Sequence, residues 1–244
     1  MKRFLVILLL FATSSCELPT IIQADKYIEP VPVKLTDAIP LYETVWDRIK
    51  DDVESEQYKL DEKTLGYINA YLASPDQLNK LFEKGRYFIF FVLEELERYR
   101  LPPELALLPY IESNYDPFSI SASGAMGIWQ FMPATARIYG LKDTWWYEQR
   151  HDPLVSSKAA VRYLAYLHNR FNKEITYTLA AYNGGPTLLE KRIKLNKKAN
   201  KPTNFENLNL PKQTQEYVPK FKAIVELVVN AKKYGINLPN FPNE

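Results

Sequence analysis

The chain has 244 residues, 46% of them hydrophobic, which is enough to enclose one sizeable core and too apolar for a disordered or fibrous protein. Its 31 Lys and Arg stand against 29 Asp and Glu, and removing Lys2 and Arg3 leaves 29 of each, so charge implies no polyanion-binding surface and nucleic acid is not expected as a partner. The single cysteine, Cys16, excludes an intrachain disulfide and a thiolate metal site.

In chain order, "MKRFLVILLLFATSSC" has a basic start, an apolar run from Phe4 to Ala12 and small residues before Cys16. This is the layout of a secretory signal over residues 1–15, with an apolar run too short to span a bilayer as a mature helix. Residues 16–40 carry four prolines (Pro19, Pro30, Pro32, Pro40) and no sustained apolar period, and read as a tether. Residues 41–73 read as a helical extension, with Val45, Trp46, Ile49 and Val53 at helical spacing and a second helix about Glu62 to Leu72.

Ser74 as N-cap and Pro75 at the first helical position open a long apolar stripe, Leu78, Leu81, Phe82, Phe88, Phe91, Val92, Leu96 and Tyr99, that Pro102 ends. A short helix over 104–114 carries Glu112 near its C-terminal end. Further helical patterns cover 127–139, 153–171, 174–182, 187–195 and 213–234, with no period-2 segment long enough for a sheet. The expected fold is all-α, with residues 74–244 as one domain. The high aromatic content, 14% with 17 Tyr and 4 Trp, suits a helical core or a sugar-binding groove and does not choose between them.

A carboxyl near the end of the apolar run "ELALLPYIES" is poorly solvated, and desolvation raises its pKa toward values at which it can hold and donate a proton, so Glu112 is the candidate general acid. Ser121, Ser123, Gly124, Gly127, Gln130, Tyr182 and Asn183 supply uncharged hydrogen-bonding groups or close backbone approach, which suits a hydroxyl- and amide-rich ligand. The plainer readings are a surface glutamate at a helix end and a turn at "SASGAMG". Asp116 lies four residues after Glu112, but Pro117 marks it as a turn residue. His151 and His168 lack metal-ligand spacing, and Trp145 and Trp146 are expected in the core. No metal or other cofactor is expected.

The ordered set "ELALLPYIESNYDPFSISASGAMGIWQFMPATARIYGL", "HDP", "AAVRYLAYLHNRF", "YTLAAYNGGP" and "QTQEYVPK" resembles a lytic transglycosylase of the goose-type-lysozyme-like family, of the membrane-bound murein transglycosylase D type, from about residue 74 to 234. The resemblance implies a lysozyme-like catalytic domain in which Glu112 is the sole acid and base. It implies that Ser121 bonds that glutamate or holds nearby sugar, and that Met126, Gly127, Gln130 and Phe131 line the cleft. It further implies that Tyr182 positions the carboxyl and Asn183 supports its loop. Gln213 stands where the family pattern has Glu, and the LysM repeats common in this type are not recognisable.

The implied reaction is non-hydrolytic cleavage of the MurNAc-GlcNAc bond in peptidoglycan glycan strands, leaving 1,6-anhydro-MurNAc ends. The alternatives are a hydrolytic muramidase, since ordinary glycosidases use two carboxyl groups, and a non-catalytic peptidoglycan-binding lipoprotein. The end of the first segment resembles a lipobox, which implies lipidation of Cys16. With Glu17 next in line, the implied location is periplasmic and lipid-anchored to the outer membrane.

Overall fold

The computed structural model describes residues 29–30, 42–51, 53, 58 and 60–244. The signal segment, Cys16 and nearly all of the tether lie outside the described residues. The described residues are helical: α1 (Val45–Asp51), α2 (Glu62–Leu72), α3 (Pro75–Glu83), α4 (Ile89–Arg98), α5 (Leu108–Glu112), α6 (Pro133–Ile138), α7 (Pro153–Arg170), α8 (Ile175–Gly184), α9 (Pro186–Lys198) and α10 (Lys212–Val229), with short 3-10 turns between some of them. Extended pairing among them is confined to isolated bridges.

Helix α10 is the spine. Val218, Phe221, Ala223, Ile224, Val225, Leu227 and Val228 are all buried on it, and α2 and α8 pack along its sides. Truncating a ring as enclosed as Phe221 costs about 3–5 kcal/mol. The core continues through Trp129, Tyr110, Tyr115 and Phe82, and the buried polar tips are bonded. Trp129 Nε1 donates to Ser157 Oγ at 2.8 Å, and the Tyr115 hydroxyl to the Ala106 carbonyl at 2.6 Å. Trp46 of α1 sits in the same core between Phe82 and Phe241.

Three expected helices change form. The stripe starting at Pro75 breaks into α3 and α4 at a turn over 84–88, where the Phe82 carbonyl accepts both the Gly85 N–H at 3.2 Å and the Tyr110 hydroxyl at 2.8 Å. Only a residue without a Cβ fits there, since a Cβ on Gly85 would lie 2.2 Å from that hydroxyl. The expected helix at 104–114 is a 3-10 turn, Pro103–Leu107, followed by the single turn of α5. The expected helix at 127–139 starts only at α6, where Pro133 occupies the first helical position. Residues 119–131 instead form a compact loop pinned by the bridges Ile120 to Met126 and Met126 to Phe131.

Candidate active site

Helix α5 ends at Glu112 because the chain turns back immediately. The N–H groups of Ser113 and Tyr115 both bond to the Pro109 carbonyl, and Asn114 and Tyr115 adopt positive φ of 56° and 57°. Ser113 Oγ then donates to the Ile128 carbonyl at 3.0 Å, which fixes the end of α5 against the 119–131 loop. Glu112 thereby opens into a cleft of about 580 Å³.

Four parts of the chain build the cleft around it. The loop supplies Ser121, Ser123, Ala125, Gln130 and Met132; α8 supplies Tyr182 and Asn183. Helix α10 supplies Gln213, Glu216, Tyr217 and Lys220, whose spacing of three, four and seven residues puts them on one face. Helix α2 supplies Tyr67. A smaller cavity of about 230 Å³ shares Gln130, Met132, Tyr182 and Asn183 and extends the cleft toward Phe131 and Tyr163.

The Glu112 side chain is partly accessible from the cleft, but protein atoms crowd its carboxyl on every other side. Burial pushes its pKa up from 4.5 to about 7. Two groups work against that rise: the Tyr217 hydroxyl, which donates to Glu112 Oε1 at 2.5 Å, and the cation of Lys220. Lys220 Nζ reaches the Ile111 carbonyl at 3.4 Å, so its charge stands beside the carboxyl without bonding to it. Burial lowers the Lys220 pKa and the neighbouring Glu112 raises it. The carboxyl is therefore balanced between protonated and ionised forms near neutral pH, the condition for a group that must both give and take a proton.

The remaining expected residues divide. Tyr182 lines the cleft, but its hydroxyl donates to the Trp129 carbonyl at 2.9 Å, so the tyrosine that bonds the carboxyl is Tyr217. Ser121 lines the cleft and bonds Ser123 Oγ at 3.0 Å and the Ala125 N–H at 2.9 Å rather than Glu112. Gln130, at φ 48°, donates to the carbonyls of Ser119 and Gly127, which leaves its Oε1 for a ligand. Asn183 Oδ1 accepts from Thr214 Oγ1 at 3.0 Å, tying α8 to α10. Phe131 is buried and lines the smaller cavity.

Met126 and Gly127 depart from the expected lining. Met126 contributes its backbone to the two bridges. Gly127 is buried beneath the 3-10 turn Gln149–His151, where a Cβ would lie 1.8 Å from the Arg150 carbonyl oxygen. The close approach its missing side chain permits is to protein backbone, not to a ligand. Asp116 is exposed and accepts from the Phe118 N–H at 2.9 Å, a turn role. His151 bonds the Pro117 carbonyl and His168 bonds Thr178 Oγ1. Trp145 and Trp146, expected in the core, are 96% and 70% exposed.

Sequence reasoning missed Glu216, Tyr217, Lys220 and Tyr67. The first three carried a readable signal, since they share Gln213's helical face in "QTQEYVPK"; Tyr67 carried none. Glu216 accepts from the Tyr67 hydroxyl at 2.9 Å and pairs with Lys63 at 3.5 Å, and these donors hold its pKa down.

Residues 91–205 match the family model described as Transglycosylase SLT domain. Over 169 residues, 69% of this chain, the sequence is 38% identical to the membrane-bound lytic murein transglycosylase D of Escherichia coli strain K12, of which it covers 37%. It is 34% identical over 111 residues, 43% of this chain, to the membrane-bound lytic murein transglycosylase F of Alcanivorax borkumensis, covering 22% of that protein. Among solved structures, the soluble lytic transglycosylase of Escherichia coli aligns at a TM-score of 0.46 and 20% identity, over 79% of this chain and 34% of that one. The chain thus spans little more than a third of the first of these relatives.

Proposed function

We propose, for a chain whose residues 91–205 match the transglycosylase SLT domain model, that the cleft at Glu112 cleaves the MurNAc-GlcNAc bond of peptidoglycan without water. The observation that carries the reading is the Glu112 carboxyl, raised to about 7 and bonded to Tyr217 in a cleft otherwise lined mainly by uncharged polar groups. Protonated Glu112 donates to the bridging oxygen as the bond to C1 breaks, and the GlcNAc chain departs as an alcohol. The resulting carboxylate then takes the proton of the MurNAc C6 hydroxyl as that oxygen bonds C1, closing a 1,6-anhydro ring. The proton count on Glu112 is restored and no water enters. Tyr217 and Lys220 favour the ionised half of the cycle, and burial the protonated half.

Glu216 gives the hydrolytic reading one specific support, because a second carboxylate lining the same cleft is the feature ordinary glycosidases require. Its proton-donating partners, Tyr67 and Lys63, occupy it in a structural pairing, which favours the single-carboxyl route. Mass spectrometry of products from purified sacculi tests the choice. Fragments lighter by one water than muramidase products, lost in Glu112→Gln, support the proposal; reducing ends that accept borohydride would replace it with hydrolysis. Binding without release of any fragment would favour a wall-binding protein.

The location proposed with this activity is the periplasm, with a lipid on Cys16 holding the protein to the outer membrane. Its support is the N-terminal sequence and the membrane-bound character named for the relatives. No helix of the described residues is long and apolar enough to cross a membrane. Release of Cys16→Ala from the membrane fraction is the expected result, and retention identical to the parent would remove the anchor from the proposal.

A further inference from the structure

Trp145 and Trp146 sit at the tip of a short hairpin closed by the bridge between Asp143 and Glu148. The tip is held rigid. Thr144 N–H bonds the Tyr147 carbonyl at 2.9 Å, Tyr147 N–H bonds Thr144 Oγ1 at 3.0 Å, and the Tyr147 hydroxyl donates to Asp152 Oδ2 at 2.6 Å. Trp146 stacks on Tyr147, with ring centroids 5.7 Å apart and planes at 22°. Leaving two indoles at 96% and 70% exposure on an ordered turn forgoes the burial that the core gives Trp46 and Trp129 almost completely. Two adjacent exposed indoles on a fixed support form a preorganised flat apolar surface.

The hairpin is joined to the cleft. Arg150, at its base, donates from Nη1 to the carbonyls of Gly124 and Phe131, the two ends of the stretch that supplies Ala125 and Gln130 to the cleft. Phe118, 77% exposed, lies 6.1 Å from the His151 ring at the base of the hairpin. From Arg150 to Trp145 is five residues, so the tip stands within about 18 Å of the hairpin base that is bonded to the cleft loop.

We infer that the Trp145–Trp146 hairpin is a secondary glycan-binding platform, on which sugar rings of the strand stack beyond the cleft. The inference rests on the glycan-cleaving reading of Glu112 and adds a site to it. Pyranose rings present flat C–H faces edged by hydroxyls and carry no charge, which suits a tip whose charges are balanced: Glu148 is paired with Arg150 at 2.7 Å, and Asp143 stands next to Lys142. An anionic bilayer surface would find no excess of basic side chains in the hairpin to hold it. A second copy of the chain is a poorer occupant, because two indoles bury at most about 500 Å² on each copy, short of the roughly 600–800 Å² that each partner gives to a stable interface.

The test uses full-length protein carrying Glu112→Gln, so that sacculi are bound and not digested. Trp145→Ala with Trp146→Ala in this background should weaken co-sedimentation with purified sacculi by about tenfold, the loss expected when two stacking faces worth together about 1.4 kcal/mol are removed. The thermal transition should stay unchanged, since both side chains lie outside the core. Hexameric N-acetylglucosamine should shift the emission of the Glu112→Gln parent, whose two exposed tryptophans are these, and should not shift that of the variant. Unaltered sacculus binding would overturn the platform. So would loss in the variant of binding to phosphatidylglycerol–phosphatidylethanolamine vesicles, or of a concentration-dependent dimer, with glycan binding intact. Each readout is binding, so the inference can fail while the cleavage reading stands, and the product analysis above decides the cleavage reading separately.

Discussion

The Tyr217 hydroxyl donates to Glu112 Oε1 at 2.5 Å across 105 residues of sequence, and no other side chain among the described residues bonds that oxygen. A hydrogen bond to the charged form of an acid favours that form. Its removal by Tyr217→Phe should therefore raise the Glu112 pKa above about 7 and move the alkaline limb of kcat/KM to higher pH. Loss of a bond to a charged group costs about 1.5–3 kcal/mol, a rate loss of roughly 10- to 100-fold. A pH–rate profile of the variant checks both, and a slow enzyme with an unmoved limb would leave Tyr217 with a packing role only.

Lys220→Met should shift the same limb in the same direction, because the cation also lowers the Glu112 pKa. Its Nζ bonds the Ile111 carbonyl and not the carboxyl, so the effect is Coulombic, and because burial shields both groups salt should screen it only weakly. The shift of the limb between parent and Lys220→Met should persist at high ionic strength, and its disappearance there would place the cation in solvent.

The raised pKa of Glu112 also sets a stability signature. The group holds its proton to about pH 7 when folded and to about 4.5 when unfolded. Between these values the folded chain binds more protons, so stability falls as pH rises through that window. Glu112→Gln carries no such penalty and should be more stable than the parent by about 3 kcal/mol at pH 8, with the difference shrinking to near zero below pH 4.5. Urea unfolding at the two pH values measures it, and an equal difference at both would remove the buried-carboxyl account.

Two glycines of one segment should respond differently to alanine. Gly124, at φ 83°, has open space where a Cβ would go, so Gly124→Ala should cost only the left-handed backbone strain, about 1–2 kcal/mol. Gly127→Ala adds a Cβ 1.8 Å from the Arg150 carbonyl oxygen and should cost about 3 kcal/mol or more, with the hairpin base displaced. Thermal unfolding of the two variants side by side reads the contrast.

The legible parts of the sequence were those governed by local pattern. The helical pattern over 153–171 is α7, Pro153–Arg170, and the carboxyl at the end of the apolar run before Ser113 is crowded enough for its pKa to rise. What stayed hidden depends on contacts made across the chain. The turn between α3 and α4 is joined by the hydroxyl of Tyr110, 28 residues from the carbonyl it bonds. The resemblance named a tyrosine beside Glu112, but with 17 in the chain only the rotation of α8 and α10 decides that Tyr182 reaches Trp129 while Tyr217 reaches the carboxyl. Trp145 and Trp146 read as core because indoles usually bury, and nothing local in "TWWYEQR" signals that a turn would hold them in solvent.

The segment that matches the family model, residues 91–205, contains Glu112 and neither group that tempers it. Tyr217 and Lys220 stand downstream of that segment, and Tyr67, upstream of it, braces their neighbour Glu216 from α2. A fragment cut to the recognised boundaries would expose the underside of α8, leave the carboxyl without its donor and its cation, and open one flank of the cleft to water. The working unit is thus wider than the signature that announces it, and a chain could retain every residue of that signature while the chemistry was retuned from helices on either side.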